Sequence, residues 1–135
     1  MFNPSRLKLA RKRRRLSGKE LAERVGLSHV TISRLETGSN EPDPETVDAF
    51  ARILNFPRDF FFANDIDELN KDFASFRSLT SMTAKERDSA LSAGSLAYLL
   101  SDWVEHRFNL PKPDLLDLGN ERDSAEAAIS IRRHW

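Results

Sequence analysis

The sequence predicts an all-α chain, on three observations. Apolar residues recur at spacings of three and four, helix-capping signals stand ahead of most of those stretches, and strand-like alternation is nearly absent. The weak exception to the last is the short stretch Asp72–Leu79. The chain has 135 residues, the size of one ordinary domain or two small ones. Hydrophobic residues make up 39%, enough for a packed core and too many for a disordered chain.

The first helix is expected from about Ser5 to Arg15, capped by Asn3 or Ser5, with Leu7, Leu9, Ala10 and Arg14 at helical spacing. Ser17-Gly-Lys-Glu20 is a capping box that opens a second helix. Its hydroxyl accepts from the amide three residues on, and the carboxylate reaches back. Leu21, Ala22 and Val25 form that helix's apolar face, and Gly26 ends it. Ser28 caps a third helix, His29 to about Thr37, with Val30 outside, Ile32 and Leu35 inside, and Gly38 as its stop. After the loop Ser39–Asp43, the pair Asp43-Pro44 starts a fourth helix with Val47, Phe50, Ala51 and Leu54 as its core stripe. Pro57 restarts a short fifth helix, Arg58–Phe62, whose Phe60, Phe61 and Phe62 are expected to close the core.

Asn64–Asp72 is acidic and reads as a linker or capping turn. Thr83 and Glu86 form a second capping box ahead of the longest helix, about Ala84 to Arg107. Its stripe of Leu96, Leu99, Leu100, Trp103 and Val104 is expected in the core. The alternative is a dimer interface with Trp103 as its anchor. Pro111 and Pro113 end the helix, Leu115–Gly119 is a loop, and Glu121–His134 is a final amphipathic helix carrying Ala125, Ala128 and Ile129. The expected organisation is a first domain at 1–65, a linker at 66–82 and a helical region at 83–135. A helix that runs to Trp135 adds the expectation that the chain is the N-terminal part of a longer protein.

Formal net charge is zero, but the charge is segregated. Residues 1–40 carry ten Lys/Arg against three acids, a balance of +7; residues 41–75 stand at −6 and the rest at −1. A basic head followed by an acidic segment is what a phosphate-binding face leaves in a sequence; a solvated basic helix is the bland alternative. With no cysteine there is no disulfide framework and no thiolate metal site. No signal peptide precedes the first helix, and no stretch approaches the ~20 apolar residues of a membrane span, so a cytoplasmic protein without membrane contact is expected.

The informative block is Leu21-Ala-Glu-Arg-Val-Gly-Leu-Ser-His-Val-Thr-Ile-Ser-Arg-Leu-Glu-Thr-Gly38. Two helices are joined by a three-residue turn containing glycine, a geometry that projects the start of the second helix outward, far enough to enter a major groove. Leu21, Ala22, Val25, Leu27, Ile32 and Leu35 hold the unit together. His29, Val30, Thr31, Ser33 and Arg34 are left without a core role. Ser17 and Ser28 sit at helix N-termini, which offer free amides and partial positive charge to phosphates.

From Leu7 to about Phe62, and above all in the phrase Ile32-Ser-Arg-Leu-Glu-Thr-Gly38, the sequence resembles the phage-repressor-like (Cro, XRE) helix-turn-helix regulators. The resemblance implies a five-helix lambda-repressor-like domain that binds double-stranded DNA. Base reading then falls to His29, Val30, Thr31, Ser33 and Arg34. The family widely uses glutamine at the first of these positions, and His29 departs from that. Arg34 suits the O6 and N7 acceptors of guanine, and Val30 a thymine methyl. Ser17, Lys19, Ser28, Ser39 and Asn40, with the amides around Gly38–Asn40, are expected on phosphates. Arg11 and Glu36 match a structural ion pair of the family.

Residues 73–135 resemble the segment that leads into a zinc metallopeptidase of the ImmA/IrrE type in longer regulators. The chain contains no H-E-x-x-H, and His29, His106 and His134 lie far apart, so no metal, cofactor or catalytic residue is expected. The leading expectation is a sequence-specific regulator, a repressor acting as a homodimer on a palindromic operator. The runner-up is the antitoxin of a toxin–antitoxin pair, whose second half binds a partner protein. A fused peptidase domain is the third.

Overall fold

The computed structural model describes residues 1–67, 69, 82–112 and 116–134, and every element among them is helical. The helices α1 (Pro4–Arg13), α2 (Gly18–Val25), α3 (His29–Glu36) and α4 (Pro44–Leu54) lead to a 3-10 helix, Arg58–Phe62. Then come α5 (Ala84–Arg107) and α6 (Ser124–His134). The expected weak strand at Asp72–Leu79 lies outside the described residues, as does most of the expected 66–82 linker. The chain divides into two compact units, Met1–Val104 and Glu105–Trp135, so most of α5 belongs with the residues before it.

Caps set the helix ends. Asn3 Oδ1 accepts from the amides of Ser5 at 3.0 Å and Arg6 at 3.4 Å, and Pro4 takes the first helical position. The expected end of this helix at Arg15 is two residues too late. Arg15 adopts φ +58°, which turns the chain and lets the Leu16 amide reach back to the Arg11 carbonyl at 3.2 Å. Gly26 ends α2 at φ +77°, a backbone state that any Cβ would strain. Asp43 caps α4 through the Thr46 amide at 2.7 Å.

The core of the first unit is built by α1 to α4 and the 3-10 helix. Leu7, Leu21, Leu54, Phe50 and Phe61 are fully enclosed, beside Ile32, Leu35 and Val47. Burying each such side chain contributes about 1.5–3 kcal/mol. Of the three consecutive phenylalanines expected to close this core, only Phe61 enters it. Phe60 is half-buried against Phe56, ring centroids 4.5 Å apart, and Phe62 is exposed and meets Phe2 edge-on at 6.3 Å. With about three residues per turn, a 3-10 helix points successive side chains in three directions. The Asn3 amide donates to the Phe61 carbonyl at 2.7 Å, and Arg6 Nε to that of Asn64 at 2.7 Å, so α1 closes the domain at both ends of the chain segment.

On α5 most of the expected core stripe is exposed: Leu99 is 37% exposed, Leu100 61% and Trp103 52%, while Leu96 and Val104 are half-buried. The buried face carries Ser89, Ser92 and Ser95 instead. Ser89 Oγ donates to the Arg13 carbonyl at 2.8 Å, Ser92 Oγ to the Asp88 carbonyl at 2.8 Å, and Ser95 Oγ accepts from the Leu69 amide at 3.1 Å. The Leu69 side chain lies over Gly94, where a Cβ would collide with it. Small residues let the α5 backbone come close, and satisfied hydroxyls avoid the cost of burying unpaired polar atoms.

In the second unit, the Asp123 carboxylate accepts from the Ala125 amide at 2.8 Å, so α6 starts at Ser124 rather than at Glu121 as expected. None of the described α6 residues is buried.

Candidate nucleic-acid interface

Everything between α2 and α3 serves to fix the second of these helices. The turn Gly26-Leu27-Ser28 is closed by the Leu27 amide on the Ala22 carbonyl at 3.0 Å. Ser28 Oγ accepts from the Thr31 amide at 3.0 Å, which satisfies one of the free donors at the start of α3. Ile32 and Leu35 anchor the inner face at 1% and 2% exposure. The remaining side chains point away from the core: Ser28, His29, Val30, Ser33 and Arg34 are exposed, Val30 to 57%.

Thr31 differs from the expected row. It is half-buried, and its hydroxyl shares a 2.8 Å hydrogen bond with that of Ser28, because both belong to the same cap. The His29 ring leans on the start of α2, with Cδ2 and Nε2 each 3.1 Å from where a Gly18 Cβ would stand. Any larger residue at Gly18 would push the ring aside. Only a bare glycine at the first position of α2 hinted at that contact in sequence.

At that end of α2 both bonds of the expected capping box are made: the Glu20 amide donates to Ser17 Oγ at 3.2 Å and the Ser17 amide to Glu20 Oε2 at 2.7 Å. Lys19 is 81% exposed and only loosely paired with Glu23, at 4.0 Å. The amides of Ser39 and Asn40, expected on phosphate, close the end of α3 instead, donating to the Arg34 carbonyl at 2.9 and 3.3 Å. A helix ending there leaves carbonyls to be satisfied, and the following loop satisfies this one. The exposed side chains of Ser39 and Asn40 remain on the surface beside it.

Arg11 and Glu36 form a two-pronged ion pair, Nε to Oε1 at 2.5 Å and Nη2 to Oε2 at 2.8 Å, with side chains 14% and 13% exposed. Arg11 Nη1 also donates to the Leu16 carbonyl at 2.8 Å, so the pair locks the end of α1 to the end of α3.

The +7 balance of residues 1–40 overstates the charge offered to a ligand. Arg6 is buried, and that burial lowers its pKa from the ordinary arginine value, against a smaller opposing effect of Asp65. Arg14 reaches the carbonyls ending α4, at Leu54 and Asn55. Arg13 is bonded to Ser89, and Lys12 and Arg15 stand 3.9 Å from Asp88 and Glu86 of α5. Among the described residues, Lys8, Arg24 and Arg34 are the cations of this segment outside such contacts, with Lys19 only loosely held.

Sequence reasoning missed Lys85. From the first turn of α5 its Nζ lies 2.6 and 2.8 Å from the two carboxylate oxygens of Glu20. Hydrogen bonds from Lys85 first, and from the Ser17 amide and hydroxyl next, bring the Glu20 pKa down to about 2.

Two short helices joined through a left-handed glycine, the second presenting an exposed outer row, form a helix-turn-helix. Residues 5–60 match a family model described as a helix-turn-helix domain. No curated protein and no solved structure matches the chain. Among the described residues no helix is long and apolar enough to cross a membrane, and no cluster of three or more His, Asp or Glu could hold a metal ion.

Proposed function

We propose that this chain binds double-stranded DNA sequence-specifically and regulates transcription, as a repressor that occupies a palindromic operator as a dimer. The observation that carries this reading is the outer row of α3. Ser28, His29, Val30, Ser33 and Arg34 stand exposed at a capped helix start with no part in the core, while Ile32 and Leu35 hold that helix in place. In this reading Arg34 pairs with guanine O6 and N7, Val30 meets a thymine methyl, and His29 and Ser33 bond base edges. The side chains of Ser17, Lys19, Ser28, Ser39 and Asn40 hold phosphates and so set register. No catalytic group and no cofactor enters the mechanism.

One α3 reads one half-site, so a palindromic operator requires a second copy. The exposed Leu100 and Trp103, three residues apart on α5, supply an apolar surface on which that copy can seat. The same surface supports a second reading, the antitoxin, in which a partner protein takes the place of the second copy.

Selection from a randomised duplex pool, followed by fluorescence anisotropy over a salt series, tests the proposal. The expected result is enrichment of a motif and an affinity that falls linearly in log Kd against log salt. Arg34→Ala is expected to cost about 1–3 kcal/mol and to relax preference at one guanine. Absence of enrichment, or affinity indifferent to salt, would refute it. A small neighbouring gene product that co-purifies stoichiometrically would favour the antitoxin.

A further inference from the structure

The capping box of α2 solves one problem and creates another. An ionised carboxylate at Glu20 completes the bonds to Ser17 and favours the positive end of the helix. It also fixes a negative charge within one turn of Ser17 and Lys19, where a phosphate is proposed to sit. A like charge there would repel the nucleic acid backbone.

The structure answers with a cation from outside the helix-turn-helix. Lys85 Nζ contacts both oxygens of Glu20, at 2.6 and 2.8 Å, while the lysine stays half exposed. Its place is set by the residues around it on the first turns of α5. Ser89 is bonded to Arg13 through both its carbonyl and its guanidinium, at 2.8 and 3.2 Å; Glu86 and Asp88 stand 3.9 Å from Arg15 and Lys12. Together Lys12, Arg15, Ser17, Lys85 and Asp88 line a cleft of about 160 Å³ between the end of α1, the start of α2 and α5. An exposed ion pair of this kind adds little to stability. Its consequence lies in the field at the end of α2.

We propose that Lys85 is a positioning residue of the DNA-binding surface: it cancels the Glu20 carboxylate and so keeps the start of α2 open to phosphate. The inference rests on the DNA-binding reading above and extends the interface beyond the residues of the helix-turn-helix itself. It also makes DNA affinity depend on α5 being docked, since Lys85 reaches Glu20 only from there.

The test uses the full chain and a short fluorescein-labelled duplex at low salt, where non-specific binding needs no operator. Four variants are compared by anisotropy, with thermal melting as a check on folding. Lys85→Met is expected to weaken binding about fivefold, the equivalent of one exposed ion pair. Lys85→Arg, which keeps the charge, retains wild-type affinity. Glu20→Gln, which preserves the capping box while removing its charge, binds at least as well as wild type. The double variant Glu20→Gln/Lys85→Met returns to about the wild-type affinity, because no charge is left to cancel. Wild-type affinity in Lys85→Met overturns the inference alone. A double variant as weak as Lys85→Met also overturns it, since Lys85 would then hold phosphate directly. A wild-type chain that fails to bind the duplex at all overturns the DNA reading, and this inference with it.

Discussion

The core of α1 to α4 and the long helix α5 are held in place by opposite means. In the first, leucines and phenylalanines are enclosed to below 2% exposure and the polar groups are spent on caps. In the second, the fully buried residues are serines, each with a hydrogen-bond partner, and the large apolar side chains Leu100 and Trp103 further along the helix are exposed. The difference separates two tasks. Apolar burial scales with area and fixes the four-helix core as a folding unit. Hydrogen bonds and surface ion pairs give α5 a defined seat at small net gain.

The largest effect is expected where the first means alone operates. Phe50 is fully buried and tilted against Phe61, ring centroids 6.3 Å apart. Phe50→Ala should cost about 3–5 kcal/mol, a large share of the ~5–15 kcal/mol that holds a domain of this kind together. Urea unfolding followed by circular dichroism measures it. A loss of only a few tenths would mean that this core is not what organises the domain.

A smaller effect is expected at the polar lock between α1 and α3. Arg11→Ala leaves Glu36 without its two-pronged partner in a site that is 13% exposed. Removing one partner of such a buried pair exposes the other's desolvation cost, here about 1–3 kcal/mol. Glu36→Gln, which keeps an acceptor for Arg11, should cost less. Equal costs would show that the charge, rather than the hydrogen bonds, holds the two helices.

The helix-turn-helix was legible in sequence because its signals are local. A capping box, a Gly stop and an i, i+3, i+4 stripe act within one or two turns, and each of Ser17, Gly26, Ser28 and Asp43 takes the place its chemistry predicts. The pairing of Arg11 with Glu36 came from resemblance, across 25 positions that no local rule connects. What escaped were contacts between distant residues that leave no pattern: Arg14 on the carbonyls ending α4, Lys85 on Glu20, and the His29 ring on Gly18. On α5 the pattern itself misled. Leucines at helical spacing read as core, whereas serines at 89, 92 and 95, spaced by three, mark the buried face. Burial there is decided by how close the backbone must come, and composition does not state that distance.

Acid should weaken the caps of both regions together. Glu20 titrates near pH 2 in the folded chain against an ordinary value of 4.5. Hydrogen bonds from Thr46 lower the Asp43 pKa, from Thr83 that of Glu86, and from Ser5 and Asn3 that of Asp65. A pKa lower in the folded than in the unfolded chain stabilises the fold fully above the ordinary value, and the gain fades as pH falls toward the folded one. The melting temperature is therefore expected to be flat from pH 7 to about 5, and to drop below pH about 4. Glu20→Gln should make that drop shallower. A curve identical to wild type would mean that the Glu20 bonds are absent in solution.

The smallest effect on stability is expected at Leu100, and it is the sharpest test of the contrast. At 61% exposure in the second half of α5, Leu100 surrenders little buried area on mutation, so Leu100→Ser should leave unfolding within about 0.5 kcal/mol of wild type. The reverse exchange at the buried face, Ser92→Leu, inserts volume where Ser92 is 5% exposed and should cost about 1–3 kcal/mol. The two variants share chemistry in opposite directions, so their ratio reports which stretch of α5 meets the protein. Leu100→Ser then has a second readout. If the exposed Leu100 and Trp103 pair two copies, sedimentation velocity should show the dimer of the wild type shifting toward monomer while the melting curve of the isolated chain stays in place. A destabilisation as large as that of Ser92→Leu would place Leu100 in the fold and remove the apolar surface from which pairing is argued.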